Sequence, residues 1–190
     1  MRGGARICTG FGLHNSYAQT VLDARRIFRY HEPNDEVMTM QFFCAPMEGV
    51  TGDLFRQAQR QTFPAADSYY TPFLSPTANR TFSPRELREI DPAHNAGIHV
   101  VPQLMGHCAE DFLWMAGRLA DMGYDEVNFN LGCPSNTVTA KKKGAGLLTE
   151  PELLRQFFDD VFAACPLPVS VKTRLGKTTS ETFPALLELY

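Results

Sequence analysis

Val127-Asn-Phe-Asn-Leu-Gly-Cys-Pro-Ser-Asn-Thr-Val-Thr-Ala-Lys-Lys-Lys-Gly-Ala-Gly-Leu-Leu148 runs an alternating segment into a cysteine at a turn and then into a basic, glycine-bearing loop. Val127 and Phe129 alternate with Asn128 and Asn130, the two-residue period of a β-strand. Gly132 and Pro134 break that period on either side of Cys133, so the thiol is expected at a strand's end and not within its buried run. Beyond it, Lys141, Lys142 and Lys143 supply positive charge, and Gly144 and Gly146 remove side chains where the backbone would approach a ligand. A single cysteine is more often a small core hydrophobe, and a lysine run is more often solvated surface. Together at a strand end they read as an active site.

Outward from this stretch, strand and helix patterns alternate. Gln41–Ala45 reads as a strand ending at Pro46, Gly52–Gln61 as a helix, and Ser68–Phe73 as a second strand. Residues 75–95, rich in Pro, Thr, Arg and Asn, read as a long loop with one helical turn around Arg85–Glu89. Ile98–Leu104 is an apolar strand, and Ala109–Met122 is a helix with Phe112, Leu113, Met115, Ala116, Leu119 and Ala120 on one face. After the strand Val127–Leu131, Thr149 with Glu152 and Pro151 forms a capping-box pattern for a helix reaching about Ala164. Pro168–Lys172 is a fifth strand, and Thr182–Tyr190 begins another helix. Residues 1–39 depart from this rhythm and read as an N-terminal extension, poorly ordered or carrying a short helix near Tyr17–Tyr30, while residues 40–190 form the ordered domain.

Composition narrows the classes. With 18 Lys plus Arg against 21 Asp plus Glu the chain is mildly acidic, so a polyanion would have to meet a local patch. Cys8, Cys44, Cys108, Cys133 and Cys165 are odd in number and widely separated, without a CxxC pair or the Cys/His spacing of a zinc site. Reduced thiols, a cytoplasmic location and no metal are the expectation. No apolar run approaches the ~20 residues that span a bilayer, and Arg2 and Arg6 precede no apolar stretch of a secretory signal. Neither membrane association nor a particular oligomeric state is indicated.

Alternation of strands and helices implies an α/β fold with a parallel sheet, either doubly wound or part of a (β/α)8 barrel. Pro46 and Met47, Gln103, Asn130 with Cys133, and Lys172 with Arg174 all fall at C-terminal strand ends, where a barrel binds its ligands. An open sheet would gather them at one switch point. A barrel of ~250 residues exceeds the length after Met40, so the expectation is a partial TIM (β/α)8 barrel of about the first five βα units.

Four segments in this order, Cys44-Ala-Pro-Met-Glu-Gly-Val-Thr51, Val101-Pro-Gln-Leu-Met105, Asn128-Phe-Asn-Leu-Gly-Cys-Pro-Ser135 and Ser170-Val-Lys-Thr-Arg-Leu-Gly176, resemble the tRNA-dihydrouridine synthases, FMN enzymes built on a TIM barrel. The resemblance covers about residues 40–190. It implies that Pro46 and Met47 lie against the flavin, that Gln103 and Lys172 hydrogen-bond its polar edge, that Asn130 contacts the uracil and that Cys133 donates a proton. It implies tRNA as partner and NADPH as reductant. Not matched are the family's later strands, with a flavin-site histidine and glycine-rich phosphate loops, and its C-terminal helical domain. The reading is therefore a truncated tRNA-dihydrouridine synthase, with the activity of the isolated 190-residue chain in doubt.

Reducing the C5=C6 bond of uracil takes a hydride at C6, from reduced FMN, and a proton at C5, for which a thiol suits. A thiol in water titrates near ~8.5 and is mostly protonated at neutral pH. No histidine lies within ten residues of Cys133 to activate it as a nucleophile, and a lysine at 172 offers a cation where negative charge develops on a reduced flavin. Two alternatives stand beside this: an aldolase-type barrel in which Lys172 forms a Schiff base with a carbonyl substrate, and a non-catalytic remnant.

Overall fold

A computed structural model describes residues 7–8, 41–63 and 65–190. It is an α/β arrangement with parallel strands throughout. Its strands are β1 (Ile7–Cys8), β2 (Phe43–Cys44), β3 (Ser68–Tyr70), β4 (Val100–Val101), β5 (Gln103–Leu104), β6 (Val127–Leu131) and β7 (Val169–Thr173). Its helices are α1 (Asp53–Thr62), α2 (Pro84–Glu89), α3 (Ala109–Asp121), α4 (Asn136–Thr139), α5 (Pro151–Ala164) and α6 (Phe183–Leu187), with a 3-10 turn at Gly144–Thr149.

Two sheets have the orders β2-β3-β4 and β1-β7-β6-β5. The run read as one strand, Ile98–Leu104, divides at Pro102, which has no N–H to give a ladder. Its first half pairs with β3 and its second with β6. A bridge between Leu74 and Leu104, with Leu74 N donating to the Gln103 carbonyl at 2.7 Å, carries the hydrogen bonding from one sheet into the other. The strands of the described residues thus follow one another in chain order from β2 to β7, and they do not close on themselves. Of the first 39 residues Ile7–Cys8 are described, as a parallel strand paired with Val171 and Lys172 of β7; the helix expected at Tyr17–Tyr30 lies outside the described residues.

The core lies on the side of β6 and β7 that α3 and α5 cover. Phe112, Met115, Ala116 and Leu119 in α3, and Leu154, Phe157, Phe158 and Val161 in α5, repeat the i, i+3, i+4, i+7 spacing and are buried. Phe129 of β6 stacks on Phe157 at 4.5 Å between ring centroids and meets Phe112 edge-on at 5.5 Å. Because side chains alternate along a strand, committing Val127, Phe129 and Leu131 to this core turns Asn128 and Asn130 to the other face of the sheet.

Helix boundaries correct two sequence expectations. The capping box expected at Thr149 does not form: Thr149 ends the 3-10 turn, its hydroxyl donating to the Gly146 carbonyl, and Glu150 takes the N-cap position without a side-chain bond. A capping box does occur at α2, where Ser83 and Glu86 satisfy each other's backbone N–H groups. Helix α6 is shorter than the pattern at Thr182–Tyr190 suggested.

Candidate active site

Five buried or half-buried side chains, Gln103, Asn128, Asn130, Ser170 and Lys172, line the polar face of β5, β6 and β7, with Asn130 and Lys172 toward the C-terminal ends of their strands. Strand register places Gln103 beside Asn128 and Asn130 beside Lys172, and parallel neighbours in register share a face. Gln103 Nε2 donates to Asn128 Oδ1 at 2.7 Å, and Asn130 Nδ2 donates to Gln103 Oε1 at 2.8 Å. Asn128 Nδ2 donates to the Ser170 hydroxyl at 2.9 Å. Gln103, Asn128, Asn130 and Ser170 are buried, and Lys172 is half-buried.

Cys133 sits two residues beyond the end of β6, half-buried, on a loop held from three directions. Asn130 Oδ1 accepts the backbone N–H groups of Gly132 at 3.1 Å and of Cys133 at 3.0 Å. Arg174 Nε donates to the Gly132 carbonyl at 2.7 Å, and Ala145 N donates to the Cys133 carbonyl at 3.0 Å. The two glycines of the basic loop serve these contacts: a Cβ on Gly146 would lie 2.6 Å from the Thr139 carbonyl oxygen, and Gly144 abuts Cys133 itself. Their lack of a side chain therefore accommodates the protein's own backbone, which is a different use from the ligand approach expected for them. Of the three lysines, Lys142 is drawn to Glu150 at 3.1 Å.

Pro46 and Met47 follow β2 at the same end of the parallel strands, Pro46 half-buried and Met47 exposed. The turn is closed by Thr51, whose hydroxyl accepts from Met47 N at 2.7 Å, and Glu48 lies within it with its side chain exposed. Arg56, fully buried in α1, fixes this turn from behind. Its five N–H donors reach the Thr51 carbonyl, the Glu89 carboxylate and carbonyl, and Asn95 Oδ1, at 2.9 to 3.3 Å. Burial pushes the Cys44 thiol up, with the Arg56 charge pulling the other way. Burial also pushes up the Tyr190 phenol, which shares a hydrogen bond with Thr173 at 2.7 Å.

A cavity of about 510 Å³ opens beside this loop, lined by Gly132, Lys172, Arg174, Lys177 and the hydroxyls of Thr178, Thr179 and Ser180. Among the described residues no carboxylate forms an ion pair with Lys172, Arg174 or Lys177. The cavity can take an anionic or carbonyl-rich ligand. Among the described residues no group of His, Cys, Asp and Glu could hold a metal, and no helix is long and apolar enough to cross a membrane.

The structure thus joins Gln103, Asn130 and Cys133 by hydrogen bonds and sets Lys172 next to them, with Pro46 and Met47 on a separate turn at the same strand ends. Sequence reasoning missed Asn128, Ser170 and Arg56, and it did not give Arg174 a role. A signal existed for Asn128: a polar residue on one phase of a strand whose other phase is all apolar needs a partner.

A family model described as Dihydrouridine synthase matches residues 43–187. The chain is 37% identical over 134 residues to "Probable tRNA-dihydrouridine synthase 1" of Synechocystis sp., a match covering 70% of this chain and 36% of that protein. It is 34% identical over 149 residues to "Probable tRNA-dihydrouridine synthase" of Staphylococcus epidermidis, covering 71% and 41%, and 32% identical over the same length to the protein of that name in Staphylococcus aureus. The chain therefore spans well under half the length of these curated relatives. On the extent of the family match and the identity to these relatives, the chain belongs to the dihydrouridine synthase family.

Proposed function

We propose that residues 40–190 form the first five βα units of a TIM barrel that reduces uridine to 5,6-dihydrouridine in tRNA, with FMN as cofactor and NADPH as reductant. The observation that carries this reading is the hydrogen-bonded set Gln103, Asn130 and Cys133 beside Lys172, at strand ends that also bear the Pro46–Met47 turn. The donor set fits a flavin: Gln103 keeps one N–H beyond those in use, and Lys172 brings a cation with no carboxylate partner among the described residues. Bound there, reduced FMN would supply the hydride for C6 of the uracil.

The protein's own residues do the rest. Asn130 has committed its oxygen to two backbone N–H groups and one of its N–H donors to Gln103, which leaves one N–H to offer a uracil carbonyl. Cys133 is the proton donor to C5, kept in place by Asn130, Arg174 and Ala145. Lys172, Arg174 and Lys177 around the cavity provide positive potential for the phosphates of flavin or RNA. An aldolase role for Lys172 would call for another cation beside it or an apolar pocket; the hydroxyl-lined cavity is not apolar, but Arg174 and Lys177 line it as well, so borohydride trapping is what separates the two readings.

The test is a chimera in which residues 43–187 replace the matching segment of the Synechocystis relative. FMN titration followed by absorbance should show saturable binding that Lys172→Ala weakens at least about tenfold, the loss of one charge-assisted hydrogen bond. Equal FMN binding by the variant, or borohydride trapping of a carbonyl compound on Lys172, would overturn the reading.

A further inference from the structure

The polar side chains behind Cys133 form a single file in which every hydrogen bond points the same way. The backbone N–H of Cys133 donates to Asn130 Oδ1, Asn130 Nδ2 to Gln103 Oε1, Gln103 Nε2 to Asn128 Oδ1, Asn128 Nδ2 to Ser170 Oγ, and Ser170 Oγ to Glu126 Oε1, at 3.0, 2.8, 2.7, 2.9 and 2.5 Å. The direction is forced from both ends. A peptide N–H can only donate, so the Asn130 atom facing Gly132 and Cys133 must be its oxygen, and its NH2 must then face Gln103. That fixes the Gln103 amide, which fixes the Asn128 amide, and the Ser170 hydroxyl is left to turn its one proton to Glu126. A carboxylate only accepts, so the far end agrees with the near one. Reversing any single amide would set two donors or two acceptors against each other.

From this we infer that Glu126 is a positioning residue for the candidate site, although it precedes β6 and lies at the opposite end of that strand from Cys133. Its carboxylate is the terminal acceptor that holds the file in one polarity. Through the file it keeps an N–H as the remaining donor of both Gln103 and Asn130 and holds the Gly132–Cys133 peptides in register. Bonds in such a file polarise one another, so the effect of the end group is carried along it. Four of the five side chains are buried and Glu126 is half-buried, so water does not readily replace a missing link within the file. The value of this positioning for catalysis rests on the proposed roles of Cys133 and Gln103; the file itself does not.

Amide hydrogen exchange on the flavin-free 190-residue chain tests it. Glu126→Leu removes the acceptor, and Ser170→Ala cuts the file one link before that end without touching a charge. Each should speed exchange at the Gly132 and Cys133 amides by about tenfold, the equivalent of one lost hydrogen bond, while the Val127, Phe129 and Leu131 amides change by much less. Glu126→Gln, which keeps an accepting oxygen, should restore slow exchange. Unchanged Gly132 and Cys133 amides in both variants would overturn the inference. So would equal acceleration along all of β6, since that is what a merely destabilised strand gives. Because no flavin is present, these outcomes are separate from the FMN titration, whose failure would remove the flavin reading and leave the file intact.

Discussion

Gly144 and Cys133 are in backbone contact: a Cβ built on Gly144 would fall 2.9 Å from the Cys133 carbonyl oxygen and 3.0 Å from the Cys133 Cβ. Gly144 also has φ of 53°, in the left-handed region that other residues enter at a cost of roughly 1–2 kcal/mol. Gly144→Ala should therefore destabilise the protein by about that amount or more, read from the urea midpoint. The loop would relax by moving Cys133, so in an active chimera the loss of dihydrouridine formation should exceed the loss of FMN affinity.

Arg56 and Glu89 form an ion pair at 2.9 Å whose side chains are 0% and 10% exposed. Removing one partner leaves the other buried and unpaired, which typically costs about 3–5 kcal/mol. Arg56→Met should show a loss on this scale in urea unfolding. The double variant Arg56→Met with Glu89→Leu should recover part of it, since two apolar side chains leave no orphaned charge. The Thr51 carbonyl loses its partner in both, so the Met47 turn should remain loosened in the double variant and its amides should exchange faster than in the parent.

The Tyr124 phenol, hydrogen-bonded to the Ile90 carbonyl at 2.8 Å, has its pKa pushed up to about 12 by burial. In the unfolded chain a tyrosine titrates near ~10. A raised folded-state pKa gives a contribution that is fully present below pH ~10 and is lost as pH rises through the folded value. The parent's melting temperature should fall more steeply between pH 10 and 12 than that of Tyr124→Phe. Parallel curves for the two proteins would contradict this.

How far the residues announce the fold differs from element to element. Val127–Leu131 was readable to the residue because one phase of the strand is wholly apolar and the other wholly polar. Helices α3 and α5 carry a sustained 3.6-residue stripe and were equally plain. Ile98–Leu104 reads as one strand by hydrophobicity, yet Pro102 removes the N–H between two pairings. Thr149 mimics an N-cap, but a 3-10 turn from Gly144 consumes it, and local pattern does not reveal that competition. The Ser83–Glu86 capping box was present as Ser-x-x-Glu inside a stretch whose Pro, Thr and Asn content suggested loop.

The candidate site was readable where motif residues cluster in sequence and hidden where register supplies the partner. Cys133 stands out beside Gly132 and Pro134. Ser170 and Glu126 join it only because β6 and β7 align Asn128 with Ser170, 42 residues apart in sequence. Arg56 was unreadable for a different reason: a fully buried arginine in a helix that exposes Leu54 and Phe55 inverts the usual amphipathic pattern.

The most direct measurement of the central claim is dihydrouridine in tRNA from a host that lacks its own tRNA-dihydrouridine synthases and expresses the chimera carrying residues 43–187. With Cys133 present, dihydrouridine should be restored. Cys133→Ala should still bind FMN and oxidise NADPH, yet lower dihydrouridine formation by roughly 10²-fold or more, the usual worth of a positioned general acid. Dihydrouridine at the parent's rate in the Cys133→Ala chimera, or none in the parent chimera despite bound FMN, would contradict the account.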